Sequence, residues 1–479
     1  MVLLVATVLV AARVAPREAF GQTQGVWGTK PALRTSGRWF VDPTGRVVVL
    51  RGVNLSGRAK VPPFRPLDDL SALDRVQAFG FNVVRLVFIW EAFEPMPGVY
   101  DRAYLEQIRS VAEAAWARGL YVVVDVHQDG FSRYVSRGSG DGFPAWAVSP
   151  RARASTPNNG PSAALWPILM ATDPATHRSF ADFHSNACGV RDRYLAMLRL
   201  LASALADIPG VIGYDPMNEP WGDEVRALAP LYDDAARVIR QVDPSAILFL
   251  EGHVTTNSGL QTHLPRPTFG NVAYAPHYYQ PLTVVAKRWF GQTASMRHAF
   301  ARMEATADRW CAPLFLGEFG APAEAARSLG YVSAIYDGLD RGFHSGTQWN
   351  FTPQWTPVDR DGWNAEDFNV IDPSGQPRAN FPVRPSPRAI AGTPAGFLYV
   401  EYTAPTDAAS FELAWSHEPA RGATEVFVPK ALFPPGSVLA ASASGVQVVH
   451  DVVRQRLIIS TSNDGLIRLR MTAPRRPGR

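Results

Sequence analysis

Cysteine is nearly missing from this chain. Cys188 and Cys311 are the only two in 479 residues, too few for a disulfide scaffold and without the spacing of metal ligands. They are expected to be small buried apolar residues, joined by one bridge at most, and neither is expected to be catalytic. Long apolar runs are also missing. The run at 2–12 is about half the roughly twenty residues that a membrane-spanning helix needs. It has the length of the core of an export signal, with Ala19-Phe-Gly21 as a cleavage site before Gln22. No lysine or arginine precedes the run, and Arg13, Arg17 and Glu18 charge the stretch after it, so a disordered leader is the alternative. The export reading makes 1–21 a leader and the protein secreted or cell-surface. A dense basic face with interleaved aromatics is absent, which argues against nucleic acid as a partner. A net charge of +4 suits at most transient contact with an anionic membrane surface. Repeats and long low-complexity runs are absent too, and 46% of residues are hydrophobic, so a large core can form. The chain is read as a monomer.

Its length exceeds one ordinary barrel of about 250 residues, so a second domain is expected. Pro373, Pro377, Pro382, Pro385 and Pro387 mark the boundary, a density that suits neither a helix nor a strand interior. Six short alternating runs come after it, at 397–402, 410–415, 424–428, 446–449, 456–459 and 466–470, and argue for a small β-sandwich. The expected division is a catalytic domain over 22–380 and a C-terminal sandwich over 381–479, packed on it.

Two segments carry the chemistry. Tyr214-Asp-Pro-Met-Asn-Glu-Pro220 and Phe315-Leu-Gly-Glu-Phe-Gly320 each bring a short apolar run to a glutamate, as a buried parallel strand does when it delivers a carboxylate to a barrel mouth. One such glutamate is commonly only a cap or an ion-pair partner. Two suit glycoside hydrolysis, where one carboxyl donates a proton to the leaving oxygen while the other stays ionised. Arg85 is placed to lend the second glutamate, Glu318, an opposite charge. Candidate strands at 47–51 (running into 52–55), 82–86, 121–125, 211–215, 246–250, 272–275, 314–317 and 346–349 number eight, with helical patterns such as 105–118 and 190–206 between them. That alternation predicts an α/β fold, a (β/α)8 TIM barrel. Glu219 follows the fourth strand and Glu318 the seventh.

Asn218-Glu219-Pro220 and Gly317-Glu318-Phe319-Gly320 resemble the motifs of retaining glycoside hydrolase family 5. The resemblance implies that Glu219 is the acid/base and Glu318 the nucleophile, with no metal or organic cofactor. Asp361-Gly-Trp-Asn-Ala-Glu-Asp367, Gly140-Asp-Gly-Phe-Pro-Ala-Trp146 and Arg384-Pro-Ser-Pro-Arg-Ala-Ile-Ala-Gly392 are similar to the endoglycoceramidase branch, which cleaves between glycan and ceramide. A glycolipid substrate is therefore expected. By the same resemblance Asn218 meets the sugar 2-hydroxyl, Arg85 orients Glu318, and His127 and His277 orient sugar or carboxylates. Tyr279, with Tyr278 as its rival, places a hydroxyl near the nucleophile. Trp349 is the aromatic floor, and Lys60 and Asp129 contact the headgroup glucose. The bland readings are strand-end caps, satisfied histidines, packing tryptophans and a solvated Lys/Asp pair. The insertion over 130–188 contains Ala164-Leu-Trp-Pro-Ile-Leu-Met170, read either as an exposed run for a lipid aglycone or as a local core. An exo-acting glucosidase on glucosylceramide or steryl glucoside, a family 5 endo-β-glucanase or mannanase, and a non-catalytic glycolipid binder remain as alternatives.

Overall fold

The computed structural model describes residues 8–9, 33–152, 154–158, 164–401 and 408–474. The expected leader and its cleavage site lie outside them, Val8–Leu9 apart. Eight parallel strands form the central sheet: β1 Arg51–Leu55, β2 Val83–Ile89, β3 Tyr121–His127, β4 Val211–Asp215, β5 Ile247–Leu250, β6 Val272–Tyr274, β7 Phe315–Leu316 and β8 Ser345–Phe351. Their order runs β6-β5-β4-β3-β2-β1-β8-β7. A bridge from Tyr274 to Leu314 closes β6 on β7, and the ring is a TIM barrel. The strands are buried along nearly their whole length because helices cover one face and the barrel interior the other. The helix Arg102–Ala117 shows the outer layer's logic. Asp101 accepts the Tyr104 amide at its start, and Tyr104, Ile108, Val111, Ala112 and Ala115 form the buried stripe.

The second unit is a pair of antiparallel sheets, and it is not confined to 381–479. One sheet contains Val438–Ala441, Gly465–Thr472, Ser410–His417 and Gly392–Val400, with Val8–Leu9 at its edge. The other combines Ser386–Ile390, Thr424–Phe427, Arg456–Ser460 and Gln447–Asp451 with three strands from the other end of the chain, Arg34–Ser36, Trp39–Val41 and Val47–Val48. The first barrel strand is therefore 51–55, and 47–51 is not it. Alternation explains the difference. Val47 and Val49 face the sandwich core around Trp415, while Val48 and Leu50 face the barrel floor, so the segment is apolar on both sides. Phe40 plugs that floor, with its ring 6.0 Å from Phe249 and 6.4 Å from Phe315.

Three further expectations are corrected. Ser386–Ile390 is a strand although it contains Pro387: Pro387 lies opposite Val426 and the register shifts just after it, before Ala389, the kind of irregularity at which sheets tolerate proline. With Val438–Ala441, it brings the strands from 386 onward to eight rather than six. Cys188 and Cys311 are exposed and unpaired, each in a left-handed turn beside a helix end (φ 57° and 53°). The run 164–170 divides between its two readings: Leu165 and Ile168 are exposed, whereas Leu169 and Met170 are buried.

Candidate active site

Arg85 is the hub of the carboxyl end of the barrel. It lies in β2 directly opposite Asn54 of β1 and is almost wholly buried. Asp125 of β3 pairs in register with Asp215 of β4, so two carboxylates face each other in the interior. Such a pair repels unless a cation sits between them. The Arg85 guanidinium supplies it, 2.9 Å from Asp125 Oδ2 and 2.7 Å from Asp215 Oδ2. It also donates to Glu318 Oε1 at 2.8 Å, Asn218 Oδ1 at 2.8 Å and Asn54 Oδ1 at 3.2 Å. These are charge-assisted bonds in a water-poor interior.

Glu219 and Glu318 meet at one nitrogen of His277. Beyond β6 the chain continues as His277–Tyr278, paired in parallel with Glu318–Phe319 so that His277 lies beside Glu318. Its Nδ1 is 2.9 Å from Glu219 Oε1 and 3.6 Å from Glu318 Oε2. One oxygen of each glutamate and a His277 nitrogen lie within 4.8 Å of one another. Burial pushes the Glu219 carboxyl up to about 7, with His277 pulling the other way and Glu318 adding to the rise. Tyr279, not its rival Tyr278, donates to Glu318 Oε2 at 2.9 Å, while Tyr278 is buried against Phe300.

The backbone at Glu219 is strained, with φ at +40°, where a side-chain-bearing residue rarely sits. Gln128 holds it there: Nε2 donates to the carbonyls of Asn218 and Glu219 at 2.7 and 2.9 Å. Asn218 Nδ2 donates in return to the Gln128 carbonyl at 3.1 Å.

A second network adjoins the first. His127 Nδ1 is 2.7 Å from Asp125 Oδ2, its ring lies parallel to Trp349 at 5.7 Å, and its Nε2 is 3.4 Å from Asp129 Oδ2. Burial opposes charge on His127, but Asp125 and Asp129 outweigh burial and the repulsion of Lys60, so the imidazole stays protonated well above its ordinary range. Lys60 pairs with Asp129 at 2.5 Å, and its ammonium lies 4.5 Å from the ring centre of Trp349 and 4.1 Å from that of Trp363. Burial raises the Asp129 carboxyl, yet Lys60 and His127 prevail and hold it below the usual range. Trp349 Nε1 donates to Glu366 at 2.5 Å, fixing the indole. The structure thus brings all ten singled-out residues into two contiguous clusters.

Sequence reasoning missed Asn54, Asp125, Gln128, Asp141, Asp215, Glu251 and Glu366. Asp125, Asp215 and Glu251 carried the same signal as Glu219, a lone acid at the end of an apolar strand. Asp141 and Glu366 lie in loops that resemble the endoglycoceramidase branch, a likeness that assigned them no role. Asp141 is buried, and burial beside Asp129 pushes its carboxyl well above the usual range. Several of these acids group closely enough for a metal: Asp125 with His127 and Glu318, His127 with Asp129 and Asp141, Asp215 with Glu251 and His277. Arg85 and Lys60 already pair with a carboxylate of each group.

Residues 41–354 match the family described as Cellulase (glycosyl hydrolase family 5), and 384–469 match the Glycoside hydrolase family 5 C-terminal domain. The chain belongs to glycoside hydrolase family 5. Among its relatives, the Endoglycoceramidase I of Rhodococcus hoagii is 26% identical over 472 residues, covering 92% of this chain and 88% of that protein. A Glucosylceramidase of Rhizopus delemar is 27% identical over 39% of this chain and 35% of its own length. Endo-glycoceramidase II from Rhodococcus sp., solved in complex with ganglioside GM3, superposes with a TM-score of 0.74 at 25% identity, covering 92% of this chain and all of that one. Cryptococcus neoformans sterylglucosidase 1 shares the fold, with a TM-score of 0.75 at 18% identity. As a family 5 member the chain is a glycosyl hydrolase.

Proposed function

We propose that this family 5 hydrolase is a retaining β-glycosidase that cleaves between the glycan and the ceramide of glycosphingolipids. The observation that carries the reading is the approach of Glu219 and Glu318 oxygens to within 4.8 Å with His277 beside both. Retaining glycosidases hold their two carboxyls about 5–5.5 Å apart, whereas inverting enzymes leave about 6.5–9.5 Å for a water.

Glu318, anchored by Arg85 and Tyr279, attacks the anomeric carbon while Glu219, which still carries a proton near neutral pH, gives it to the lipid-side oxygen. The C–O bond breaks, the lipid alcohol departs, and the sugar is held as an ester on Glu318. Glu219, now ionised, takes a proton from water as that water attacks the same carbon, releasing the sugar and restoring both carboxyls. Asn218 reads the 2-hydroxyl, with Lys60, Asp129, His127 and Trp349 around the headgroup sugar.

The lipid side of the reading rests on the rim. Leu165, Ile168, Leu282, Val285, Phe290 and Val358 are exposed on segments that leave the carboxyl ends of β3, β6 and β8. Exposed apolar groups on loops that leave the carboxyl ends of the strands suit an aglycone that is drawn from, and returned to, a lipid surface in transient contact.

Incubation with lactosylceramide, a ganglioside and glucosylceramide, with products separated and weighed, tests the reading. Intact oligosaccharide plus ceramide is the expected result. Glucose from glucosylceramide alone would make the enzyme an exo-glucosidase, and no release from any lipid would turn the assignment to soluble β-glucans.

A further inference from the structure

Glu251 follows β5 directly, is buried, and has no part in the two chemical steps of the proposed reaction. Its contacts nevertheless reach every side of the acid/base. Oε2 accepts the backbone N–H of Glu219 at 3.2 Å, the amide of the one site residue with strained φ. Oε1 is 3.2 Å from His277 Nε2, near enough to pair though out of line for a good hydrogen bond, and 3.4 Å from Arg85 Nη2. The Tyr232 hydroxyl donates to the Glu251 carbonyl at 2.9 Å and fixes its backbone.

We infer that Glu251 is a positioning residue for the acid/base: one buried carboxyl holds both the peptide that carries Glu219 and the imidazole that its side chain meets. The inference rests on the reading of Glu219 as acid/base. Without Glu251 the Glu219 N–H is left buried with no acceptor, and His277 loses the carboxyl behind its ring. Glu219 then drifts from the leaving oxygen, while Glu318 keeps Arg85 and Tyr279. Burial and the neighbouring Asp215 push the Glu251 carboxyl well above the usual range. A proton on Glu251 limits the negative charge beside Asp215, so the carboxyl can sit there as a neutral prop.

The two arms of the site are separated by leaving group. A 2,4-dinitrophenyl β-glycoside departs without protonation, whereas an alkyl β-glycoside of the same sugar needs the acid, and kcat/KM for each reports the step up to the glycosyl-enzyme. Glu251→Leu, close in volume but with no acceptor for the Glu219 N–H or the imidazole, is expected to lower kcat/KM on the alkyl glycoside about 100-fold, within the range that general acid catalysis supplies, and on the dinitrophenyl glycoside about 5-fold or less. The ratio of the two is read in one preparation, so the fraction folded cancels. Glu251→Asp, which keeps the carboxyl but draws it back by one methylene, is expected to shift the ratio the same way and decides the matter should the leucine variant not fold. Equal losses on both substrates, or no loss on either, would overturn the inference. Glu219→Gln serves as the control. If it too loses both activities equally, it is the acid/base reading of Glu219 that has failed; if it shows the split and the Glu251 variants do not, only the role of Glu251 falls.

Discussion

Glu219 carries the pH dependence of the proposed reaction. Its carboxyl is lifted to about 7 mainly by burial, so it is protonated below that pH and progressively ionised above it. A proton donor is lost as pH rises, so kcat/KM on an alkyl glycoside should fall above about pH 7, and a pH–rate profile of Glu219→Gln should lack that limb. The Lys60–Asp129 pair is predicted through stability instead. Both groups are buried, and removing Lys60 leaves Asp129 only the more distant His127 as a cationic partner. Lys60→Met should therefore cost about 3 kcal/mol in urea unfolding, and the double variant with Asp129→Asn should recover most of it. These roles were unevenly legible in the chain. Glu219 and Glu318 stand in local motifs that announce themselves. Glu251 has the same local pattern, yet its role lies in contacts with residues 19 to 166 positions away, which no local pattern displays.

Strand contact sets the demands at the scale of elements. A Cβ on Gly213 in β4 would lie 2.0 Å from the Ile247 carbonyl oxygen of β5, and one on Gly52 in β1 would lie 1.8 Å from that of Val83 in β2. Backbone cannot yield as a flexible side chain does, so the strands would have to part. Gly213→Ala should destabilise the protein by about 1–3 kcal/mol or more, measured as a lowered urea midpoint. Activity should fall with it, because β4 aims Asp215 and leads into Glu219. Seven barrel strands were readable in place, most as apolar runs closed by a polar end, whereas β1 was set too early because 47–50 is apolar on both faces. Val438–Ala441 was not, being four small or aliphatic residues without alternation. Ser386–Ile390 was hidden by its proline, whose cost is absorbed by a local shift in register.

For the whole molecule, the two ends of the chain share one sheet, so barrel and sandwich are joined by more than a linker. Val47–Val48 pairs with Ser386–Ile390, and Arg388 donates to the Gly80 carbonyl at 2.7 Å. The catalytic rim is the other feature of that scale. Replacing Leu282, Val285 and Phe290 together with serine should slow hydrolysis of glycolipid in vesicles about 10-fold or more while leaving a soluble aryl glycoside within about 2-fold, since each removes apolar contact with lipid worth roughly 1.5–3 kcal/mol when fully buried. Equal rates in vesicles for variant and parent would remove the rim from the account of the lipid substrate.

The barrel, the order of its strands and the delivery of Glu219 and Glu318 to one end were legible in the chain alone, because hydrophobic period and strand-end motifs are local and survive without knowledge of neighbours. The placing of residues 34–48 in the C-terminal sandwich, the exposure of both cysteines, and the meeting of His277 with both glutamates, Glu251 behind it, came from the fold. Each of these depends on which distant segments meet, and burial, which lifts the Glu219 carboxyl, exists only once they have met.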